Sequence, residues 1–307
     1  MMLDSTATFR ETMNLDVVWN HGAPGEPPIQ VHALSENTYI LRQSKRVSYE
    51  APFLYLLFGS RRAVLLDTGA TADPMRFPLR ETIDDIVRDW GTRHPSGAFE
   101  LVVGHTHAHG DHIAGDGQFA DRADTVVVDH DVDAVKAFFQ IADWPNGTGT
   151  LDLGERVLTV LPVPGHHPAS VAVYDPWSGI VLAGDTILPG RLYVRDYPAF
   201  VQSIARLTEF ADTHPISAVL GCHIEMSTMP RHDYPLGATY QPREAPLPLS
   251  QEHLSRILQA SQTAARPGIY RFDDFVIVHG QSTKIVLALL LRGLLWKIGH
   301  QLKRTPE

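Results

Sequence analysis

The sequence predicts a fold of mixed strands and helices that carries reactive side chains at the ends of its strands. Short apolar segments typical of strands alternate along the chain with amphipathic segments typical of helices. Several of these strands end directly before an ionisable group, as at Asp67, His105, His166 and His223. We therefore expect the chemistry to lie on loops along one edge of a sheet assembly, where rigid strands hold ligands in place.

The first half of the chain predicts six strands and two helices. Leu79, Ile83, Ile86 and Trp90 recur at helical spacing with charged residues between them, which predicts a helix over 79–90. The next helix is expected over 131–141. The strands are predicted at 30–34, 38–43, 53–58, 63–66, 99–103 and 125–128.

The second half continues the alternation of strands and helices. Strands are predicted at 156–163, 171–175, 180–183 and 217–220, and the middle two form a hairpin across Pro176 to Gly179. A helix is expected over 198–213. From residue 231 a proline-rich segment indicates an ordered wrap or a linker. Beyond it we predict a helix over 250–262 with Ser250 as N-cap, a strand over 271–278, and a terminal helix over 283–302.

The terminal helix is apolar and basic. Its apolar stretch, residues 285–298, is interrupted by Arg292 and Gly293 and is shorter than a bilayer span, so we expect no stable membrane insertion. Residues 284–304 contain no acid. The helix is therefore expected to pack on the domain, to form a homodimer, or to contact an anionic surface. Its basic residues are Lys284, Arg292, Lys297, Lys303 and Arg304.

Composition narrows the classes of function. The 307 residues, 44% of them hydrophobic and 20% charged, predict an ordinary globular core. A net charge of −9 gives no basic field for a phosphate backbone, so we expect a small-molecule substrate and no nucleic acid. Cys222 is the single cysteine, which excludes an internal disulfide. The first residues lack the pattern of a secretory signal, and a cytoplasmic location is expected.

The most informative stretch is GHTHAHGDHIAGD at residues 104–116. Its residues His107, His109, Asp111 and His112 form the pattern H-x-H-x-D-H directly after an apolar strand. Imidazole nitrogen and carboxylate oxygen are good ligands for zinc and similar divalent ions. One loop can therefore supply most of a metal site. His105, after the end of the strand, is expected either to pack in the core or to contact the ligand residues without binding the metal itself.

Four further positions complete a family pattern. Asp67 in LLDTG, His166 in PGHHPAS, Asp185 in LAGDT and His223 in GCHIE stand in order beside HAHGDH. Together these motifs resemble the metallo-β-lactamase-fold superfamily, in its glyoxalase II and lactonase-like branch, over roughly residues 30–225. The resemblance implies an α+β fold, an αββα sandwich with a C-terminal helical extension. The implied organisation is a lead at 1–29, a catalytic domain at 30–230, and an extension at 231–307 that packs on the domain or at a dimer interface.

The resemblance also implies a binuclear metal site. Its first ion would be held by His107, His109 and His166, its second by Asp111, His112 and His223, and Asp185 would bridge the two. Zinc is the expected metal, with iron or manganese as alternatives.

Some neighbouring positions have more than one interpretation. Asp67 would orient a ligand histidine, although a simple cap of the turn at Thr68-Gly69 is the competing explanation. His166 rather than His167 matches the ligand position. Cys222 is expected to be buried and inert.

The implied activity is metal-dependent hydrolysis of an ester, thioester or lactone by a metal-bridging hydroxide, with Asp111 or Asp185 moving the proton. Lactamases of this fold generally lack an aspartate at the bridging position, so β-lactams would be side substrates. Leu188 stands where lactonases typically carry a tyrosine, which leaves that subclass open. The alternative is an oxidoreductase resembling the mononuclear iron persulfide dioxygenases. Candidate substrate contacts are Arg191, Tyr193 and Trp144.

Overall fold

The computed structural model describes residues 9–95 and 99–302, with side chains described up to residue 299. Residues 1–8 of the predicted lead, and Lys303 and Arg304 of the predicted basic helix, lie outside the described residues. The strands are β1 Ile29–Ala33, β2 Thr38–Gln43, β3 Phe53–Phe58, β4 Arg62–Leu66, β5 Glu100–Gly104, β6 Thr125–Val127, β7 Gly149–Asp152, β8 Val157–Pro162, β9 Val171–Asp175, β10 Ile180–Gly184, β11 Arg191–Val194, β12 Ala218–Gly221, β13 Gly268–Arg271 and β14 Val276–His279. The helices are α1 Leu79–Arg93, α2 Gly110–Ile113, α3 Val132–Phe139, α4 Tyr197–Thr213, α5 Glu252–Thr263 and α6 Thr283–Leu302.

Two mixed sheets pack face to face. The first has the strand order β1-β2-β3-β4-β5-β6 and the second the order β12-β10-β9-β8-β7. Side chains from both sheets, such as Tyr55 and Val64 from the first and Val173 and Leu182 from the second, form one buried cluster between them. β3 is buried along its whole length because its sheet is covered on both faces, and its sequence FLYLLF accordingly shows no polar alternation.

Helices cover the outer faces of both sheets. α1 places Leu79, Ile83 and Trp90 against the outer face of the first sheet. α4 and α5 cover the second sheet through residues such as Phe200 and Ile257. The order of layers is therefore helix, sheet, sheet, helix, which confirms the predicted α+β sandwich.

A third, small sheet joins the C-terminal residues to the rest of the chain. β14 pairs in parallel with β11 and antiparallel with β13. The predicted single strand over 271–278 is wrong, because a tight turn interrupts it, with the amide of Phe272 donating to the carbonyl of Phe275 at 2.9 Å. Ser250 is likewise not the N-cap of α5: the helix begins after Gln251, and the Ser250 hydroxyl lies beside His253 instead.

The terminal helix α6 is buried on one side and exposed on the other. Ile285 and Leu289 pack with Met226, Val276 and Val278. Other positions on the helix leave large apolar residues exposed: Val286, Leu287, Leu290, Leu291, Leu294, Leu295 and Ile298. None of the helices among the described residues is both long enough and apolar enough to cross a bilayer.

Candidate metal centre

The predicted ligands converge at one edge of the two sheets because each follows the carboxyl end of a strand. The histidine loop follows β5, Asp185 follows β10, and His223 follows β12, the parallel neighbour of β10. Gly184, at the end of β10, has a φ of 55°, and a Cβ there would lie 2.8 Å from the Cβ of Thr106. A larger residue would separate β10 from the histidine loop, so glycine allows Asp185 to approach these ligands.

Three histidines form the first cluster. His109 Nδ1 lies 2.9 Å from His107 Nε2 and 2.9 Å from His166 Nε2, and the latter two atoms are 3.2 Å apart. Burial lowers the pKa of all three side chains, that of His109 to about 4. These rings are therefore neutral at physiological pH, which is the form of imidazole that binds a metal.

Two carboxylates and two histidines form the second cluster. His223 Nε2 lies 3.4 Å from both Asp111 Oδ2 and Asp185 Oδ1, and His112 Nε2 lies 3.6 Å from Asp185 Oδ2. Burial lowers the pKa of His223, but the Asp185 and Asp111 carboxylates outweigh it and raise that pKa to about 9. For Asp185 the effects are reversed: burial raises the pKa, but the charges of His223 and His112 lower it to about 2. The carboxylates thus make this cluster a strong site for positive charge.

The outer ring nitrogens of the histidines indicate that the clusters fit divalent metal ions. His112 Nδ1 donates to Asp67 Oδ2 at 2.8 Å, His166 Nδ1 to the Tyr193 carbonyl at 2.8 Å, and His223 Nδ1 to the Glu50 carbonyl at 3.0 Å. Each bond directs the other ring nitrogen into the cluster, where it can bind a metal once it carries no proton. Among the residues described, Asp185 Oδ1 is buried and accepts no hydrogen bond, an unfavourable state for a carboxylate oxygen unless a cation binds it. The residues present therefore fit divalent metals.

Asp67 lies behind the ligands rather than among them. It adopts a φ of 70°, and its carboxylate accepts from the amide of Thr106 at 2.7 Å as well as from His112. The carboxylate therefore bonds the histidine loop rather than capping the turn at Thr68-Gly69. Cys222 is buried and its thiol faces Asp67 Oδ2 at 3.2 Å. Burial raises the pKa of this thiol well above its ordinary value, so it stays protonated.

His105 belongs to a separate hydrogen-bonded group on the far side of the loop. Its Nε2 lies 2.9 Å from Asp116, whose other carboxylate oxygen lies 2.7 Å from His130 Nε2. Thr68 also donates to Asp116 at 2.7 Å. Asp116 and its neighbours thus tie the histidine loop to the loop after β4.

A cavity of about 310 Å³ opens directly beside the two clusters. Its polar side includes five of the predicted ligands together with Glu50, Tyr193, Arg195 and Glu225. Its other side is apolar and is formed by Leu188, Leu236, Val278, Ile285, Val286, Leu289 and Leu290. The volume lies at the lower end of the range for small-molecule sites.

The three predicted substrate contacts lie in different surroundings. Arg191 forms part of the cavity wall, but its guanidinium donates to Tyr193 Oη at 2.8 Å, to Asp233 Oδ2 at 2.9 Å, and to Glu225. Its donors thus have partners within the protein, and a contact between Arg191 and substrate stays a prediction. Trp144 packs against the core between the sheets and is not among the residues that line the cavity, and its contact with substrate stays a prediction. Tyr193 does line the cavity.

Sequence analysis missed Glu50, Arg195 and Glu225 as cavity residues. Glu225 stands two positions after His223, and in extended chain this spacing places both side chains on one side. The spacing could therefore have predicted Glu225 as a cavity residue. Arg195 is exposed, and its side chain makes no hydrogen bond or ion pair within the described part of the chain. Glu50 precedes β3, and no local pattern distinguishes it.

Comparison with known proteins places these observations in a family. Residues 51–218 match the family described as the Metallo-beta-lactamase superfamily. The chain is 34% identical over 123 residues to a hydroxyacylglutathione hydrolase of Anaeromyxobacter dehalogenans, covering 36% of this chain and 45% of that protein. It is 27% identical over 205 residues to the acyl-coenzyme A thioesterase MBLAC2 of Bos taurus, covering 55% of this chain and 72% of that protein. The chain thus spans less than half of the first of these relatives.

Solved structures show the same fold at low identity. The metallo-beta-lactamase FIM-1 from Pseudomonas aeruginosa, in its mono-zinc form, aligns with a TM-score of 0.52 and 15% identity, covering 80% of this chain and 99% of that one. A metallo-beta-lactamase from Erythrobacter litoralis aligns with a TM-score of 0.51 and 18% identity, covering 78% and 98% of the two chains.

Proposed function

Because the chain belongs to the metallo-beta-lactamase superfamily, we propose that it is a hydrolase that uses two divalent metal ions, zinc in the first place, to cleave an ester, thioester or lactone. The observation that carries the proposal is the position of Asp185. Its carboxylate lies 3.7 Å from His166 in the first cluster and 3.4 Å from His223 in the second. One side chain can therefore serve both clusters at once.

The proposed ligand sets follow the two clusters. His107, His109 and His166 hold one ion, Asp111, His112 and His223 hold the other, and Asp185 contributes to both. Bound divalent ions supply Lewis acidity, which polarises a carbonyl and lowers the pKa of a water ligand.

The protein's own groups orient the substrate and move protons. Asp111 and Asp185 face the cavity, and either carboxylate can take up a proton from the attacking water and return it to the leaving group. Burial is the main cause that raises the pKa of Tyr193 to about 12, so this phenol keeps its proton at neutral pH. Since Arg191 donates to the phenol oxygen, the Tyr193 proton is free to point at a carbonyl or a developing oxyanion.

An acyl thioester is the favoured substrate within this class. The relatives named as a hydroxyacylglutathione hydrolase and an acyl-coenzyme A thioesterase support it. Leu188 and the apolar residues opposite the ligands exclude water from part of the cavity and suit the acyl side of such a molecule.

The test is hydrolysis by the zinc-loaded protein of a panel that contains acyl thioesters, aryl esters, lactones and a chromogenic β-lactam. We expect turnover of thioesters above that of the β-lactam, loss of turnover after dialysis against a chelator, and recovery on adding zinc. Absence of hydrolysis across the panel by protein shown to carry its full complement of metal would contradict the proposal.

A further inference from the structure

The cavity beside the ligand clusters has two chemically different sides. One side carries the predicted ligands and the polar residues Glu50, Tyr193 and Glu225. The other is apolar, and more than half of its residues come from the single helix α6: Ile285, Val286, Leu289 and Leu290. A molecule that fills this cavity therefore contacts this helix as well as the ligands.

The α6 wall lies outside the residues that match the family, which end at residue 218. Two features hold the helix in place. Leu289 is 7% exposed and packs with Met226 and Val276, and Arg292 Nη1 donates to Asp233 Oδ2 at 2.6 Å. The wall is thus a fixed part of this chain, and the family's shared motifs do not account for it.

Val286 and Leu290 expose apolar surface to solvent at the cavity. They line the cavity and yet remain 43% and 53% exposed. Exposed apolar area beside a reactive site is costly in water and marks a surface that an apolar ligand would cover. Beyond them the exposed face of α6 continues through Leu294, so a chain longer than the cavity meets further apolar surface.

We propose that α6 forms an acyl-binding wall, and that the substrate of the proposed hydrolase carries an extended apolar acyl group. This inference rests on the proposed function. In the reaction, the hydroxyl of water adds to the acyl carbon, the carbon–sulfur or carbon–oxygen bond breaks, and the proton goes to the leaving atom. The apolar acid product lies along Val286, Leu289 and Leu290.

The polar leaving group has a separate place. A cavity of about 310 Å³ is too small to enclose both an extended acyl chain and a large polar carrier. Arg195 lies at the cavity as an exposed cation. The leaving group is therefore directed toward solvent on the side of Arg195.

The experiment measures kcat/KM for the zinc-loaded protein with one thiol carrier and acyl groups from acetyl to decanoyl. Each methylene that leaves water on α6 is expected to raise kcat/KM by up to about fourfold. The matched variants are Leu290→Gln, on the cavity wall, and Leu291→Gln, on the same helix with 49% exposure but away from the cavity. The ratio of decanoyl to acetyl kcat/KM should fall about tenfold in the first variant and remain that of the parent protein in the second.

Calorimetric titration with acetate and decanoate supplies a readout that does not depend on turnover. Decanoate should bind more tightly than acetate with a negative heat-capacity change, and Leu290→Gln should weaken decanoate binding while Leu291→Gln should not. A flat dependence on acyl length, or equal effects of the two variants, would overturn the α6 wall. Failure to hydrolyse any thioester together with length-dependent binding of the acids would instead overturn the proposed function alone.

Discussion

His112 Nδ1 lies 2.8 Å from Oδ2 of Asp67, and both side chains are fully buried. The bond requires His112 to carry a proton on Nδ1, so Nε2 is the nitrogen that points toward Asp111 and Asp185. The second oxygen of Asp67 accepts from the Thr106 amide at 2.7 Å, which fixes the carboxylate itself. Asp67 therefore positions a predicted ligand without belonging to the cluster.

Asp67→Asn is expected to weaken zinc binding by about 10- to 100-fold. An amide has one acceptor oxygen, so its NH2 group would face either the Nδ1 proton of His112 or the amide of Thr106. Asparagine tolerates the positive φ at this position, which limits any effect on the backbone.

Competition with a chromogenic chelator measures this affinity. Asp116→Asn is the matched control, since Asp116 also contacts a histidine in the loop but no predicted ligand. Parental zinc affinity in Asp67→Asn would contradict the positioning role.

Asp185→Asn is expected to reduce turnover by at least about a hundredfold while leaving the metal-free fold intact. The variant removes the charge that serves both clusters, and within the described part of the chain Asp185 Oδ1 accepts no hydrogen bond whose loss would destabilise the fold. Steady-state kinetics with an established substrate and thermal unfolding of the metal-free protein measure the two effects. Near-normal turnover would show that the two clusters do not act as one centre.

Asp233 should make the protein less stable in acid. Burial by itself raises the pKa of this carboxyl, but the hydrogen bond from Arg292 and the charges of Arg191 and Arg271 lower it below its ordinary value of about 4. Because the folded-state pKa is depressed, the stabilisation is fully present above about pH 4 and is lost as the pH falls through the folded-state pKa.

Urea unfolding at pH 7, 4 and 3 measures this dependence. The parent protein should lose unfolding free energy between pH 4 and 3 faster than Asp233→Asn does. Arg271→Gln, which removes the half-exposed partner of Asp233, provides a milder variant with an intermediate slope. Parallel pH profiles for all three proteins would exclude Asp233 as a source of the acid sensitivity.

Leu289→Ala is expected to lower the unfolding free energy by about 2–5 kcal/mol, because it removes a buried side chain from the cluster that fixes α6. Leu291→Ala, on the exposed side of the same helix, should change it by less than about 0.5 kcal/mol. Chemical denaturation of both variants measures the difference. Equal losses of unfolding free energy in the two variants would mean that the face of α6 that carries Leu289 does not hold the helix in place.

The metal ligands could be predicted from the sequence, whereas most of the cavity wall around them could not. A metal needs particular ligand atoms, so the sequence of HAHGDH, with His166, Asp185 and His223 after later strands, already indicated a cluster that the structure brings together. The cavity wall was different. α6 reaches the ligands because β14 pairs with β11 more than eighty residues earlier in the chain, and no local pattern encodes that pairing.

The features that were not predicted have similar physical causes. The apolar residues within 271–278, RFDDFVIV, predict one strand, although Asp273 and Asp274 are typical turn residues and separate β13 from β14. Arg191 was interpreted from its nearness to Asp185 in sequence, whereas its partner Asp233 comes from the C-terminal segment. The sequence around an arginine does not show which distant carboxylate will form an ion pair with it in the fold.

The most direct test of the binuclear centre is the metal content per chain, measured by plasma mass spectrometry on protein purified without added metal or chelator, beside Asp185→Asn prepared in the same way. We expect close to two divalent ions per chain in the parent protein, mainly zinc, and a clear reduction in the variant. A content of about one iron per chain, or a content that Asp185→Asn leaves unchanged, would contradict a binuclear hydrolase built around Asp185.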